Sequence, residues 1–355
     1  MTAVAAPSGS AFSLARSARG VLRRVPVWSW RLLMLTVSSR EQTRFNMDPV
    51  SEVTYTDDVD YFGDGLRAHR LDVLTPPATG PLGPAGAEEL LPVYVYFHGG
   101  GWTSGDKAAV TKYCANQALG GMVVVNVNYR RAPRFHMGHL LEDANIALAW
   151  VGANIRKYGG DPERLVLGGD SAGGQIAALL TAASLRPELA AHYALQPALP
   201  GKHLKGLVQH CSAVDFSVFF DRGFVLSLNF IRMLLPSGLH PTERTQKPLP
   251  APEAAERLKS AAGFMSPIEW LDDSHPPVFV TTSERDFFYQ ANLNFIERLQ
   301  KHRIPVDALI YRWDSANTEH TWQQDYRYPE SQEVYRRLHA FVRSAARASS
   351  AEAPH

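Results

Sequence analysis

A chain of 355 residues, 45% hydrophobic and 20% charged, has the composition of an ordinary globular protein and is long enough for one large α/β unit with insertions. Its 36 basic and 35 acidic side chains nearly cancel, which argues against nucleic acid or another polyanion as partner. The only two cysteines, Cys114 and Cys211, supply neither a disulfide framework nor the spacing of a zinc site. Such sparse use suits a reducing, cytoplasmic setting, and no metal is expected.

The chain opens with Arg16, Arg19, Arg23, Arg24, Arg31 and Arg40, and its first acidic residue is Glu41. The apolar run Val25–Val37 is too short to span a bilayer, and Arg31 inside it spoils a signal peptide. Residues 1–50 read as a tail leading into a helix that covers part of the core. A membrane-surface helix and an organelle transit peptide are the alternatives. After a weaker strand signal at Glu52–Thr56, strand-like and helix-like segments alternate, the pattern of a mostly parallel, eight-stranded sheet flanked by helices. Strands are expected at Arg70–Leu74, Val93–Phe97, Met122–Asn128, Leu165–Gly168, Gly206–His210, Val278–Thr282 and Val306–Tyr311. Most are nearly continuous in apolar character, as strands buried on both faces must be. Helices are expected at Lys107–Leu119, His139–Tyr158, Ala172–Ser184, Gln290–His302 and Glu330–Ala346.

Two stretches interrupt this alternation. Residues 77–91, rich in Pro, Gly and Ala, read as an exposed loop. Residues 215–275 exceed any normal connection between a strand and a helix. They start with Phe216, Phe219, Phe220, Phe224 and Phe230, and a polar, Pro-rich piece then runs to about residue 256. An apolar insertion must bury itself against something, and a cap over an active site is the natural place. The expected organisation is therefore a core of 51–214 and 276–346, a cap at 215–275 and a tail at 347–355.

Gly169-Asp170-Ser171-Ala172-Gly173-Gly174 lies between an expected strand and an expected helix. A bare GxSxG arises by chance in roughly one chain in eight of this length. In this setting, however, the sharp reversal forces Ser171 into strained dihedrals and exposes its hydroxyl, as a nucleophile needs. The helix beginning at Ala172 aims its free N–H groups at the same spot. A second motif, His98-Gly99-Gly100-Gly101-Trp102, directly follows the strand Val93–Phe97. Three glycines in a row let backbone amides approach a ligand closely. With Ala172, the amides of Gly100 and Gly101 can hold the oxyanion of a tetrahedral intermediate. No GK[ST] follows, which disfavours a phosphate loop.

An acid and then a histidine should follow in chain order. Asp286, in the loop after Val278–Thr282, is the expected acid and Glu284 its near alternative. His320, one helix and one strand later, is the expected base. His302 and His339 lie on expected helices and suit solvent-facing roles, and His98 reads as structural. The aromatic start of the insertion suggests Trp102, Phe216 and Phe219 as substrate contacts.

Together with Asn128-Tyr129-Arg130-Arg131-Ala132-Pro133, Gly159-Gly160-Asp161-Pro162 and Ser266-Pro267, these motifs resemble the hormone-sensitive-lipase group of esterases within the α/β hydrolases, over roughly residues 65–345. The resemblance implies a carboxylesterase with Ser171 as nucleophile, His320 as base, Asp286 as its orienter and Gly100, Gly101 and Ala172 as oxyanion donors. It implies a small-molecule ester substrate and no cofactor. An aryl formamidase with the same triad is the rival enzyme, and a catalytically silent binding protein the rival of another class. Self-association into a homodimer is compatible with the sequence. Two departures bear on the pocket: Arg134-Phe135-His136-Met137-Gly138 replaces a Glu-His-Pro-Phe-Pro-like run, and Asp286-Phe287-Phe288 replaces Asp-Pro-Leu.

Overall fold

The computed structural model describes residues 27–29, 32, 46–77, 90–226, 228–236 and 251–348. Eight strands, β1 (Thr54–Asp60), β2 (Arg70–Thr75), β3 (Leu91–Phe97), β4 (Val123–Val127), β5 (Gly160–Asp170), β6 (Leu204–His210), β7 (Val278–Ser283) and β8 (Val306–Tyr311), form one sheet. Their order is β1-β2-β4-β3-β5-β6-β7-β8, with β2 antiparallel to both neighbours and every later pair parallel.

Alternation along the strands divides the interior between two helical layers. Val93, Val95, Val123, Val125, Leu165 and Leu167 point to the face covered by α2 (Met137–Asn154), α3 (Ser171–Leu185) and α7 (Tyr289–Lys301). Tyr94, Tyr96, Val124, Val166 and Val208 point to the face covered by α1 (Thr111–Ala118) and α8 (Pro329–Ala348). The central strands are thus buried on both sides, which explains why their sequences run apolar without a break.

The expected strands are all present, with shifted ends. β5 begins at Gly160, five residues ahead of the expected Leu165, and a register shift opposite Leu91–Val93 accommodates the irregularity. β1 runs on to Asp60 past a shift between Thr56 and Val59. The expected helix Lys107–Leu119 is split into a 3-10 turn, Lys107–Ala109, and α1. Two short elements carry no strong periodic signal: α4 (Pro187–His192) and α5 (Asn229–Leu234). The end of the polar, Pro-rich piece starts a helix not expected from the sequence, α6 (Ala251–Gly263). Pro252 falls in its first turn, where a missing N–H breaks no helical bond.

Val27–Ser29 and Leu32 are helical, and Val27 is buried against the α2–α3 side of the core. Most of the expected N-terminal region 1–50, residues 78–89 of the expected loop 77–91, residues 349–355 of the expected tail and residues 237–250 of the insertion lie outside the described residues, while residues 347 and 348 of that tail belong to the last helix, α8. Among the described residues no helix is long and apolar enough to cross a membrane.

Candidate active site

Parallel pairing brings the functional loops to one edge of the sheet. Phe97 is in register with Gly169, and Asp170 with His210, so the loops after β3, β5 and β6 leave side by side. Those after β7 and β8 follow, at the carboxyl ends of the strands where open α/β sheets bind ligands.

At the end of β5 the chain turns straight into α3, and Ser171 takes a φ of +53°. A left-handed conformation costs a non-glycine residue about 1–2 kcal/mol, so the surroundings must hold it. Here the Ala213 amide donates to the Ser171 carbonyl at 3.2 Å. A Cβ at Gly173 would run into the carbonyls of Phe97 and His98, and one at Gly169 into Phe97 and Gly173. Only glycine fits where the turn and the end of β3 touch.

Ser171, Asp286 and His320 meet. The Ser171 Oγ lies 3.0 Å from the His320 Nε2, and the His320 Nδ1 lies 2.7 Å from the Asp286 Oδ1. Asp286 is buried, with the Phe288 amide donating to the same oxygen at 3.1 Å. The imidazole, whose side chain is 24% exposed, is the part of the series open to solvent. The Ser283 hydroxyl donates to the Thr318 carbonyl, tying the histidine loop to the end of β7. Glu284 is turned away, its carboxylate accepting from the Trp313 amide at 2.8 Å. His339, expected to face solvent, instead packs against Gly120 and bonds Gln117 at 3.1 Å; burial pushes its pKa down to about 4.

The glycine loop is fastened from below. Asp170 accepts from the Tyr96 hydroxyl at 2.5 Å and from the Gly99 amide at 3.0 Å, linking the loop to the strand before Ser171. Burial pushes the Asp170 carboxyl up to about 6, against the pull of the Tyr96 bond, the His320 charge and the Gly99 amide. Tyr129 donates to the His98 carbonyl at 2.6 Å and stacks on its ring, centroids 4.6 Å apart. Burial lowers the His98 pKa to about 4, so it serves as a neutral spacer. Gly100, Gly101 and Trp102 all have positive φ, and the Gly100 carbonyl accepts from the Thr103 and Ser104 amides. Among the described residues the Gly100 and Gly101 amides have no acceptor, and Ala172 sits in the first turn of α3, where amides have no helical partner.

Trp102, Phe216 and Phe219 are buried against one another, with Trp102–Phe216 and Phe216–Phe219 centroids 5.9 and 5.0 Å apart. Their rings continue through Phe288, 6.0 Å from Phe219, to His320. Phe287 lies closer still, its ring centroid 4.0 Å from that of His320. Gln175 joins loop and insertion: its Oε1 accepts from the Trp102 indole at 2.8 Å and its Nε2 donates to the Met265 carbonyl at 2.6 Å. Tyr129, Gln175, Phe287 and Cys211 were not identified from the sequence as parts of the site. Phe287 left a trace as a departure from the resembling pattern, and Tyr129 as part of the Asn128–Pro133 stretch.

Among the described residues one group of metal-capable donors stands together, Cys211, Asp286 and His320, with ligand atoms within 4.8 Å of one another. Its imidazole and carboxylate are already hydrogen-bonded to each other, which is the arrangement of a proton relay rather than of an open coordination site. Burial pushes the Cys211 thiol well up, keeping it protonated.

A parallel sheet that delivers a serine on a strand–turn–helix, flanked by late acid and histidine loops, is the α/β-hydrolase architecture. A family model described as alpha/beta hydrolase fold matches residues 94–317, and the chain belongs to that family. His320 lies just beyond the matched segment. The carboxylesterase NlhH of Mycobacterium tuberculosis is 39% identical over 118 residues, 33% of this chain and 34% of that protein. The esterase LipQ of the same organism is 30% identical over 233 residues, 65% of this chain and 49% of that protein. The matches thus span about a third to a half of these relatives' length. Among solved structures, esterase B of Lactobacillus rhamnosis superposes with a TM-score of 0.77 at 17% identity, covering 93% of this chain and 98% of that one, a likeness of fold.

Proposed function

We propose that the protein is a serine carboxylesterase that cleaves short- to medium-chain acyl or aryl esters through an acyl-enzyme. The observation that carries this is the unbroken series from the Ser171 Oγ to His320 to Asp286, at 3.0 and 2.7 Å, beside the unpaired amides of the glycine loop. The names of the curated relatives, carboxylesterase and esterase, support the same reading.

In the cycle, His320 takes the proton of Ser171 through Nε2 as the oxygen attacks the ester carbonyl. Asp286 holds the Nδ1–H tautomer and stabilises the imidazolium without taking the proton. Gly100, Gly101 and Ala172 stabilise the oxyanion, each such donor being worth about 10²–10³ in rate. The alcohol leaves with the proton from His320, and water, activated by the same imidazole, releases the acid. The aromatic set Trp102, Phe216 and Phe219 supports an apolar acyl or aryl group. A cytoplasmic setting belongs to the same reading, supported by Cys114 and Cys211 being buried free thiols.

The test is a series of p-nitrophenyl esters of increasing acyl length, with matched anilides, before and after a serine-directed phosphonate. Turnover of the shorter esters, covalent labelling of the wild type and loss of both in Ser171→Ala are expected, with kcat falling about 10⁴–10⁶-fold. No hydrolysis and no labelling would favour a binding protein, and a large preference for the anilides an amidase.

A further inference from the structure

We propose that Phe287 is a positioning residue for His320, its ring lying over the imidazole and stabilising the imidazolium that forms when Ser171 loses its proton. The inference rests on the reading of His320 as the base. The two ring centroids are 4.0 Å apart with planes tilted by 35°. Aromatic pairs, stacked or edge-on, usually hold their centroids about 4.5–7 Å apart, so a 4.0 Å separation at a 35° tilt brings the two ring faces together. Asp286 and Ser171 engage the imidazole through its two nitrogens, and those bonds lie in the ring plane. They leave the ring free to rock out of that plane, and a second ring on its face removes that freedom.

The contact also has a sign. An aromatic face is the negative end of a quadrupole and attracts a cation more than a neutral ring. The gain therefore appears as the proton arrives on Nε2, in the transition state and not before, which is where binding raises rate. Phe287 is well placed to deliver it, because the turn that fixes the acid fixes the ring. The Asp286 amide donates to the Ser283 carbonyl at 3.0 Å, and the Phe288 amide returns to the Asp286 Oδ1. Phe288 is buried, packs 4.7 Å from Phe287, and reaches Phe219 and Phe224 of the insertion at 6.0 and 5.8 Å.

Other charged and titratable groups face His320 besides Ser171. Asp286 is bonded to it, and buried Asp170 feels its charge from the end of β5. Cys211 lies within 4.8 Å from the end of β6, and neighbouring Glu319 is paired with Arg285 at 3.2 Å. The resembling pattern has Asp-Pro-Leu in place of Asp286-Phe287-Phe288, so the aromatic ring is a feature of this chain's own sequence.

The test replaces Phe287 with phenylalanines bearing one, two and three fluorines, which weaken the quadrupole while nearly keeping the shape, and with Leu. Expected is a stepwise fall in kcat along the series with little change in KM. It should end at Phe287→Leu about 2- to 30-fold below wild type, the range that a cation–π contact of about 0.5–2 kcal/mol gives. A kcat that is flat across the fluorinated series, or a change confined to KM, would overturn the proposal. A wild-type protein inert toward every ester would sink the base assignment itself, a different failure from a flat series in an active enzyme.

Discussion

Asp170→Asn should stabilise the protein above neutral pH and leave it nearly unchanged in acid. The wild-type carboxyl is buried, and burial pushes its pKa from 3.8 up to about 6. Between these values the folded chain holds a proton that the unfolded chain has released. Stability from this group is therefore complete below about pH 4 and is lost as pH rises through about 6. Roughly two pH units at 1.36 kcal/mol each make the loss about 3 kcal/mol at pH 8. Asparagine keeps an acceptor oxygen for the Tyr96 hydroxyl and the Gly99 amide but does not titrate. Allowing for weaker hydrogen bonds to a neutral acceptor, the expected gain at pH 8 is about 1–3 kcal/mol, shrinking toward zero or below at pH 4.5. Urea unfolding of both proteins at half-unit steps from pH 4 to 8 gives the difference directly. Parallel stability curves, with no change in the gap across that range, would refute the argument that an ionised Asp170 burdens the folded state.

Four further substitutions follow from the geometry. Gly173→Ala drives a Cβ into the carbonyls of Phe97 and His98, so thermal melting should show a loss of about 3 kcal/mol together with most of the hydrolysis; a variant that melts like wild type would mean the elbow relaxes freely. Trp102→Phe leaves the buried Gln175 Oε1 without its donor and should cost about 1–3 kcal/mol in urea unfolding. A cost below about half a kcal/mol would show another donor moving in. Asp286→Asn should lower kcat about 10⁴-fold by favouring the wrong imidazole tautomer. Glu284→Gln, whose side chain accepts from the Trp313 amide away from His320, should stay within about threefold, and equal losses in the two would reverse the assignment of the acid.

What the sequence made legible is what local pattern encodes. The continuous apolar runs at Val93–Phe97 and Val123–Val127 mark buried strands. The two glycine motifs mark close backbone approaches, and the chain order of Asp286 and His320 follows from where their strands end. Gln175 lies 90 residues from its Met265 partner, and Tyr129 is 31 from His98. Such contacts depend on the sheet order, which no local periodicity reports. Local signals also mislead where they compete. Prolines and polar residues near 250 hide α6, and Gly160 and Pro162 hide the start of β5, because the same residues punctuate loops and begin elements. His339 reads as a surface residue on α8, yet it is half-buried where Gly120 provides the room.

Gln175 has a practical consequence for altering this protein. One amide on the first turns of α3 holds the indole of the glycine loop with one end and the carbonyl of Met265 with the other. The region following Val214 is therefore not an exchangeable module. A loop library or a graft from a relative that shifts the backbone at 265 would also release Trp102, and with it the amides beside the serine. Engineering of the insertion should keep Phe264–Ser266 intact and vary the part ahead of α6, so that a new pocket does not come with a loosened glycine loop.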